Sequence, residues 1–562
     1  MRVADLIVET LVANGIDRVF CVPGESCLGL LDALHGRSDI DTVACRHESG
    51  AGFMALADAR LTGRPGAAIV SRGPGATNAA IAVHTAQQDA IPFILLVGQV
   101  ACRNIRRDAF QEIDYRQMFG SIAKWVFELA DAERTPEAML RALQTAMTGL
   151  PGPVVIAVPE DILTAEMAAP ALARWVRVTS APDAASVREI ERLLSRAEQP
   201  LVIAGSSVGT EEDRAELIRF LEDWNLPCMV SFRRHDLMPN DHPLYAGAFT
   251  LANSAGQMDI LNDADLIVVI GARLSDATTQ GYTFPHPVRP RQTLVHIHPD
   301  AASLGTHFGC DLAVACSAGS LLAALKEPVG SAPKRQDWID RLTTERKRTS
   351  VVGQFNVGDG VPFETVVDVV GQALPKDAIV AVDAGAFAAP IYRVLPFRPP
   401  QRLLAPISGA MGFGVPAAVA AGMREPERPI VCFVGDGGFL MTGAELTVAQ
   451  ERRIPLKVIV SENGAYGSIR AQQERDYPGR NVATSFTVPD LELMGRAYGG
   501  AVARIASAKE LERIPQLLCA PGLQVIIVKT SVEAILPRPA PAGADMVGAQ
   551  SRAMAEQCAP NG

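Results

Sequence analysis

The chain alternates two hydrophobic patterns along most of its length. Short, continuously apolar runs, at 67–70, 93–97 and 154–158 for example, lack the polar alternation of a half-exposed strand. They read as strands buried on both faces. Between them lie segments such as 3–12 and 28–34, whose apolar positions recur with helical spacing. Buried strands alternating with helices predict an α/β fold of doubly wound parallel sheets.

The pattern occurs three times, so three doubly wound units are expected. The first covers 1–170. The second covers 185–330, with strands at 201–205, 265–271 and 294–297. The third covers 345–535, with strands at 378–382, 430–434, 456–460 and 525–528. The stretch 319–338, rich in Ala, Gly, Ser and Pro, reads as a linker. Residues 536–562, rich in Pro, Ala and Gly and without periodicity, read as a mobile tail.

Bulk properties narrow the function classes. A chain of 562 residues has room for three or four cores of ordinary size. Net charge is −10 and Lys and Arg form no block, which argues against nucleic acid or an anionic membrane as partner. The ten cysteines form no C-x-x-C pair and sit mostly in apolar runs, as free thiols of a reducing cytoplasm do. The N-terminal segment carries Asp5 and Glu9 and reads as a helix rather than a signal peptide. No stretch has the length of a membrane span. A cytoplasmic protein is expected.

The chemistry concentrates at 430–463. An apolar strand stops at Gly435-Asp436-Gly437-Gly438, a helical pattern follows, and a second apolar strand runs into Glu462-Asn463-Gly464. Thr442 and Glu445 have the spacing of a capping box ahead of Leu446 and Ala449. One βαβ unit sets both strand ends side by side at the carboxyl edge of the sheet and brings Asp436 to Asn463. A carboxylate, an amide oxygen and a nearby backbone carbonyl make an incomplete shell of hard oxygens, which suits Mg²⁺ with phosphate oxygens completing it. Flanking glycines and a helix N-terminus favour those phosphates. A diphosphate carried by a metal is the inferred ligand. In the first unit, Glu48 begins a helix whose first turns hold Ala51, Phe53, Met54 and Ala55, so a poorly solvated carboxylate with a raised pKa is expected.

The βαβ stretch resembles the GDG…NN signature of thiamine diphosphate enzymes, with Glu462-Asn463 in place of Asn-Asn. RHE before a small-residue helix, then SRGPGATNA, then DAFQEIDY, resembles the acetolactate synthase branch of that family. The resemblance runs to about residue 535 and implies a pyrimidine-binding, a central and a diphosphate-binding domain in that order. It implies that Glu48 hydrogen-bonds the aminopyrimidine N1′ and promotes the imino tautomer that takes the C2 proton. Met411 would prop the bent cofactor, and the Gly409 carbonyl would accept from its 4′-amino group. Asp436, Asn463 and the Ala465 carbonyl would hold Mg²⁺. Gly435, Gly437, Gly438, Tyr466 and Gly467 would approach the phosphates. Gly24 and Gln111 would face the thiazolium and substrate, with Gln111 the better candidate for a substrate hydrogen bond. The family places each cofactor between two subunits, so a homodimer is the expected minimum and a homotetramer is compatible.

Three departures bear on substrate rather than cofactor. Gly385-Ala386-Phe387 stands where acetolactate synthases have Gly-Gln-His, Gln472 stands at their channel Trp, and a Met-His-Gly stretch is missing around 246–256. The segment 271–276 resembles the place where synthases bind FAD and related CoA-dependent decarboxylases bind ADP. The implied function is a thiamine diphosphate- and Mg²⁺-dependent decarboxylase or carboligase of a 2-oxo acid, through ylide attack and an enamine. A CoA-thioester decarboxylase or lyase is the alternative. A nucleotide-binding oxidoreductase would need a G-x-G-x-x-G after a strand, which is missing. A non-catalytic subunit would not need Glu48, Asp436 and Asn463 together.

Overall fold

The fold comes from a computed structural model that describes residues 1–168, 172, 174–330 and 333–536. The expected tail therefore lies, except for its first residue, outside the described residues. Three six-stranded sheets carry the fold, with parallel pairing throughout. Numbered within each unit, the strands of the first and third sheets run 2-1-3-4-6-5, whereas those of the central sheet run 3-2-1-4-5-6. The expected α/β class holds, and the outer units share a topology that the central one does not.

The order reverses between strands 1 and 3 of the outer sheets, and open α/β sheets bind ligands in the crevice at such a switch point. In the first unit these strands are Arg18–Cys21 and Gly66–Val70, followed by the loops at 22–26 and 71–73. In the third they are Ile379–Val382 and Ile430–Gly435, followed by Asp383 and by Asp436. Strand Ile430–Gly435 pairs in register with Leu456–Glu462, so the βαβ unit read at 430–463 is formed.

The first and third units are packed on each other. Helix Glu48–Thr62 lies against helix Gly414–Arg424, and the Phe53 ring meets the Phe413 ring edge-on with centroids 5.6 Å apart. At one end of this contact Arg424 donates to Asp58 at 2.8 and 2.9 Å and to Asp17 at 2.8 and 3.0 Å.

The stretch expected as a linker is largely ordered. Helix Ala318–Ala324 occupies its start and helix Gln336–Thr349 begins at its end. Trp338, Ile339 and Leu342 are buried against the central unit, and the Trp338 indole donates to the Pro200 carbonyl at 2.8 Å. A composition rich in small residues hid an amphipathic helix. The buried thiols appear as expected: six of the described cysteines are buried, and Cys519 is exposed.

Phe53→Ala and Phe413→Ala should each cost about 3–5 kcal/mol. The double variant should cost less than their sum, because the rings share one contact. Urea unfolding of the three variants checks this.

Candidate active site

The turn after strand Ile430–Gly435 passes directly into helix Asp436–Thr442, and the turn after strand Leu456–Glu462 leads to helix Gly467–Asp476. Between them lies a cavity of about 230 Å³. Gly409, Met411, Gly435, Asp436, Gly437, Gly438, Asn463, Ala465, Tyr466 and Gly467 all line it. The residues read as cofactor- and metal-binding are thus brought to one place. Ala386 and Phe387 line it too, giving apolar surface where the resemblance expected polar contacts.

Asp436 is 2% exposed. One oxygen accepts from Asn463 N at 2.8 Å and Gly464 N at 2.6 Å, and the other from Gly437 N at 2.8 Å. Burial pushes this carboxyl above its ordinary value, and the three N–H groups pull it back. Asn463 Oδ1 accepts from Ala465 N at 3.0 Å, and Asp436, Asn463 and Ala465 line the same cavity. Gly437 has no room for a side chain: a Cβ would lie 2.9 Å from the Tyr466 ring and 3.3 Å from Met411 Cε. Among the described residues, His, Cys, Asp and Glu side chains nowhere gather in threes that could hold a metal. A cation here would rest on a mixed oxygen set.

The loop carrying Gly409 and Met411 is held at both ends by carboxylates that the sequence reading missed. Asp383, fully buried, accepts from Gly412 N at 2.9 and 3.0 Å and from Gly414 N at 3.1 Å. Asp89, at the end of helix Gly73–Asp89, accepts from Ile407 N at 2.8 Å and Ser408 N at 2.7 Å. Between these anchors Gly409 takes a left-handed φ of 72°, which glycine adopts without steric cost. Asp383 could have been suspected, since it follows an apolar strand as Asp436 does. Asp89 lies 318 residues from its partner and had no local signal.

The capping box is not formed. The Thr442 hydroxyl donates to the Gly412 carbonyl at 2.8 Å, tying this helix to the Met411 loop. The Glu445 carboxylate leaves its own helix and accepts from Arg46 N at 3.1 and 3.2 Å and from His47 N at 3.0 Å. Tertiary donors outcompeted the local pair.

Gly24, Glu48 and Gln111 converge elsewhere, around the start of helix Gly73–Asp89 in the first unit. A Cβ on Gly24 would lie 2.4 Å from Ser71 Cβ, and Gly73 N donates to the Gln111 carbonyl at 2.9 Å. Glu48 begins helix Glu48–Thr62 and accepts from Asn78 Nδ2 at 2.9 Å. Its expected desolvation is not met within one chain, where it is half-buried. The apolar residues of its helix face the core, while Glu48 stands at the open sheet edge. His47 caps the helix, its Nδ1 accepting from Ser49 N at 3.1 Å. Gln111 and nearby Arg106 and Asp108 have φ of 64°, 62° and 56°, a strained turn. Among the described residues, none of Gly24, Glu48 and Gln111 lines the third-unit cavity.

Burial raises Asp383 from its ordinary 3.8 to about 6, against the pull of the Ala384, Gly414 and Gly412 amides. A raised carboxyl favours the folded state's protonated form, so its contribution to stability is lost as pH climbs from about 4 to 6. Asp383→Asn should therefore gain stability relative to the wild type over that interval, by about 3 kcal/mol at most. Thermal midpoints of both proteins between pH 4 and 7 check the sign.

Comparison with known families accounts for all three units. The models described as the N-terminal TPP binding domain, the central domain and the C-terminal TPP binding domain of thiamine pyrophosphate enzymes match residues 1–118, 187–325 and 383–528. The acetolactate synthase large subunit of Lactococcus lactis is 30% identical over 90% of this chain and 89% of its own. The isozyme 1 large subunit of Escherichia coli is 31% identical over 84% of each. A probable acetolactate synthase large subunit of Methanocaldococcus jannaschii is 28% identical over 91% and 89%. With the residues read as cofactor- and metal-binding gathered in one cavity and these matches across the three units, the chain belongs to the thiamine pyrophosphate (thiamine diphosphate) enzymes, as an acetolactate synthase-like member.

Proposed function

We propose that the protein is a thiamine diphosphate- and Mg²⁺-dependent decarboxylase and carboligase of 2-oxo acids, working in the cytoplasm as a homodimer whose sites lie between copies. One observation supports the two-copy arrangement: the third-unit set lines one cavity, while Gly24, Glu48 and Gln111 lie apart from it on the first unit. Exposed Phe110, Leu440, Met441 and Ile469 flank these sets, and a second copy would cover them.

The third-unit cavity suits a metal-bound diphosphate. Asp436 is a buried anion without a cationic side-chain partner among its hydrogen bonds, and a divalent ion would compensate it. Asp436, Asn463 Oδ1 and the Ala465 carbonyl would hold Mg²⁺. Gly435, Gly437, Gly438, Tyr466 and Gly467 would leave room for phosphate oxygens. When bound, the cofactor supplies an electron sink for the pair released as carbon dioxide departs. Glu48 would share a proton between its carboxylate and a ring nitrogen of the cofactor, with Asn78 fixing its second oxygen. Met411, half-buried on the cavity wall, would set the bend of the cofactor, and the Gly409 carbonyl would orient its amino group. Gly24 gives the backbone close approach at the opposite face, and the Gln111 amide would orient the substrate.

FAD belongs to this reading only in part. The central strand order is that of dinucleotide-binding sheets. The crevice beside Arg273, Ser275, Tyr282 and His296 holds about 240 Å³. That is less than a ligand pocket of ordinary size, so a whole flavin dinucleotide does not fit it as it stands, and no step passes through one.

Purified protein with thiamine diphosphate and Mg²⁺ should consume pyruvate and yield acetolactate. Acetaldehyde as sole product would reduce the function to decarboxylation, and no consumption with cofactor bound would favour a CoA thioester. Glu48→Gln should retain cofactor while turnover falls about 10²–10⁴-fold; near-normal turnover would sink its role. Asp436→Ala should weaken Mg²⁺-dependent cofactor retention, read by titration.

A further inference from the structure

Glu445 is 1% exposed, and burial pushes its carboxyl up to about 7. It accepts from the Arg46 amide on both oxygens, at 3.1 and 3.2 Å, and from the His47 amide at 3.0 Å, and among the described residues no cationic side chain bonds to it. The Arg46 guanidinium turns away, to Glu451 and the Ala44 carbonyl. An uncompensated buried carboxylate is costly, and an apolar side chain would pack this interface without that cost. What the carboxylate does that an apolar group could not is grip the Cys45–Arg46 and Arg46–His47 peptide units, just ahead of Glu48.

The grip is tight. Gly50, in the first turn of helix Glu48–Thr62, lies so close that a Cβ there would come within 2.2 Å of Glu445 Oε1. Strand Asp41–Ala44 ends three residues before His47, whose backbone is extended at φ −149° and ψ 145°. The short connection from strand to helix thus passes directly over the carboxylate. Glu445 holds the backbone before Glu48, and Asn78 holds its carboxylate. Between these anchors the reach of Glu48 is set.

We infer that Glu445 is a positioning residue for Glu48: by fixing the Arg46 and His47 amides from the third unit, it sets where the Glu48 carboxylate meets the cofactor ring nitrogen. The inference rests on the reading of Glu48 proposed above. Glu445 itself touches neither cofactor nor substrate.

The test is deuterium exchange at C2 of bound thiamine diphosphate, without substrate, in wild type, Glu445→Gln, Glu445→Ala and Glu48→Gln. A misplaced general base slows such a step steeply, so Glu445→Gln should lower the exchange rate about tenfold and Glu445→Ala about a hundredfold. Cofactor affinity should stay within about twofold, because the diphosphate cavity is untouched. In the cofactor-free protein, the Arg46 and His47 amides should exchange about tenfold faster in Glu445→Gln, as expected for a weakened charged acceptor. Glu445→Gln is nearly isosteric, so it keeps the test readable if Glu445→Ala fails to fold. Wild-type C2 exchange in Glu445→Gln, with exchange lost in Glu48→Gln, would overturn the inference and leave the functional reading standing. Wild-type exchange in Glu48→Gln would overturn both, and would locate the failure in the role given to Glu48.

Discussion

A carboxylate accepts hydrogen bonds and donates none, so without a cationic partner it survives burial only where N–H groups surround it. Four buried carboxylates organise the site in this way. Asp436 gathers the amides of Gly437, Asn463 and Gly464, and Asp383 those of Gly412 and Gly414. Asp89 holds those of Ile407 and Ser408, and Glu445 those of Arg46 and His47. In each case the donors carry or adjoin a residue read as part of the site. Solvating the carboxylate and positioning the loop are one interaction, and neither can be lost without the other.

Two of the four anchors also join units that fold around separate sheets. Asp89 reaches from the first unit to the Met411 loop of the third, and Glu445 reaches back from the third to the residues before Glu48. The same two units pack through helices Glu48–Thr62 and Gly414–Arg424. Rigid packing within a chain therefore registers both half-sites of that chain. At neutral pH this arrangement has a cost, visible in Asp383 raised to about 6 and Glu445 to about 7. Sites that must hold charge in defined places commonly carry such strain.

Much of the fold was legible because interior parallel strands are uniformly apolar. The runs at 430–434 and 456–460 fell where strands Ile430–Gly435 and Leu456–Glu462 stand. Two edge strands were not legible: Trp125–Glu128 is half-buried throughout and Arg402–Leu404 is three residues long, so neither shows a pattern. The diphosphate-side residues were legible because strand, turn and helix bring them together locally. Partners hundreds of residues apart were not. Thr442 and Glu445 had the spacing of a local cap, yet both are spent on tertiary contacts that spacing cannot show. Glu48 was found through its place at a strand-to-helix turn, but its solvation depends on what lies across the sheet edge.

The central claim is that Glu48 of one copy serves the cofactor held by Asp436 of another. Subunit complementation tests it directly. Glu48→Gln and Asp436→Ala chains, each inactive alone, are unfolded together and refolded as a mixture. If sites form between copies of a symmetric dimer, half the dimers are mixed and each has one intact site, so about a quarter of wild-type activity should return. A mixture as inactive as its components, with mixed dimers demonstrated, would place each site within a single chain and contradict the account.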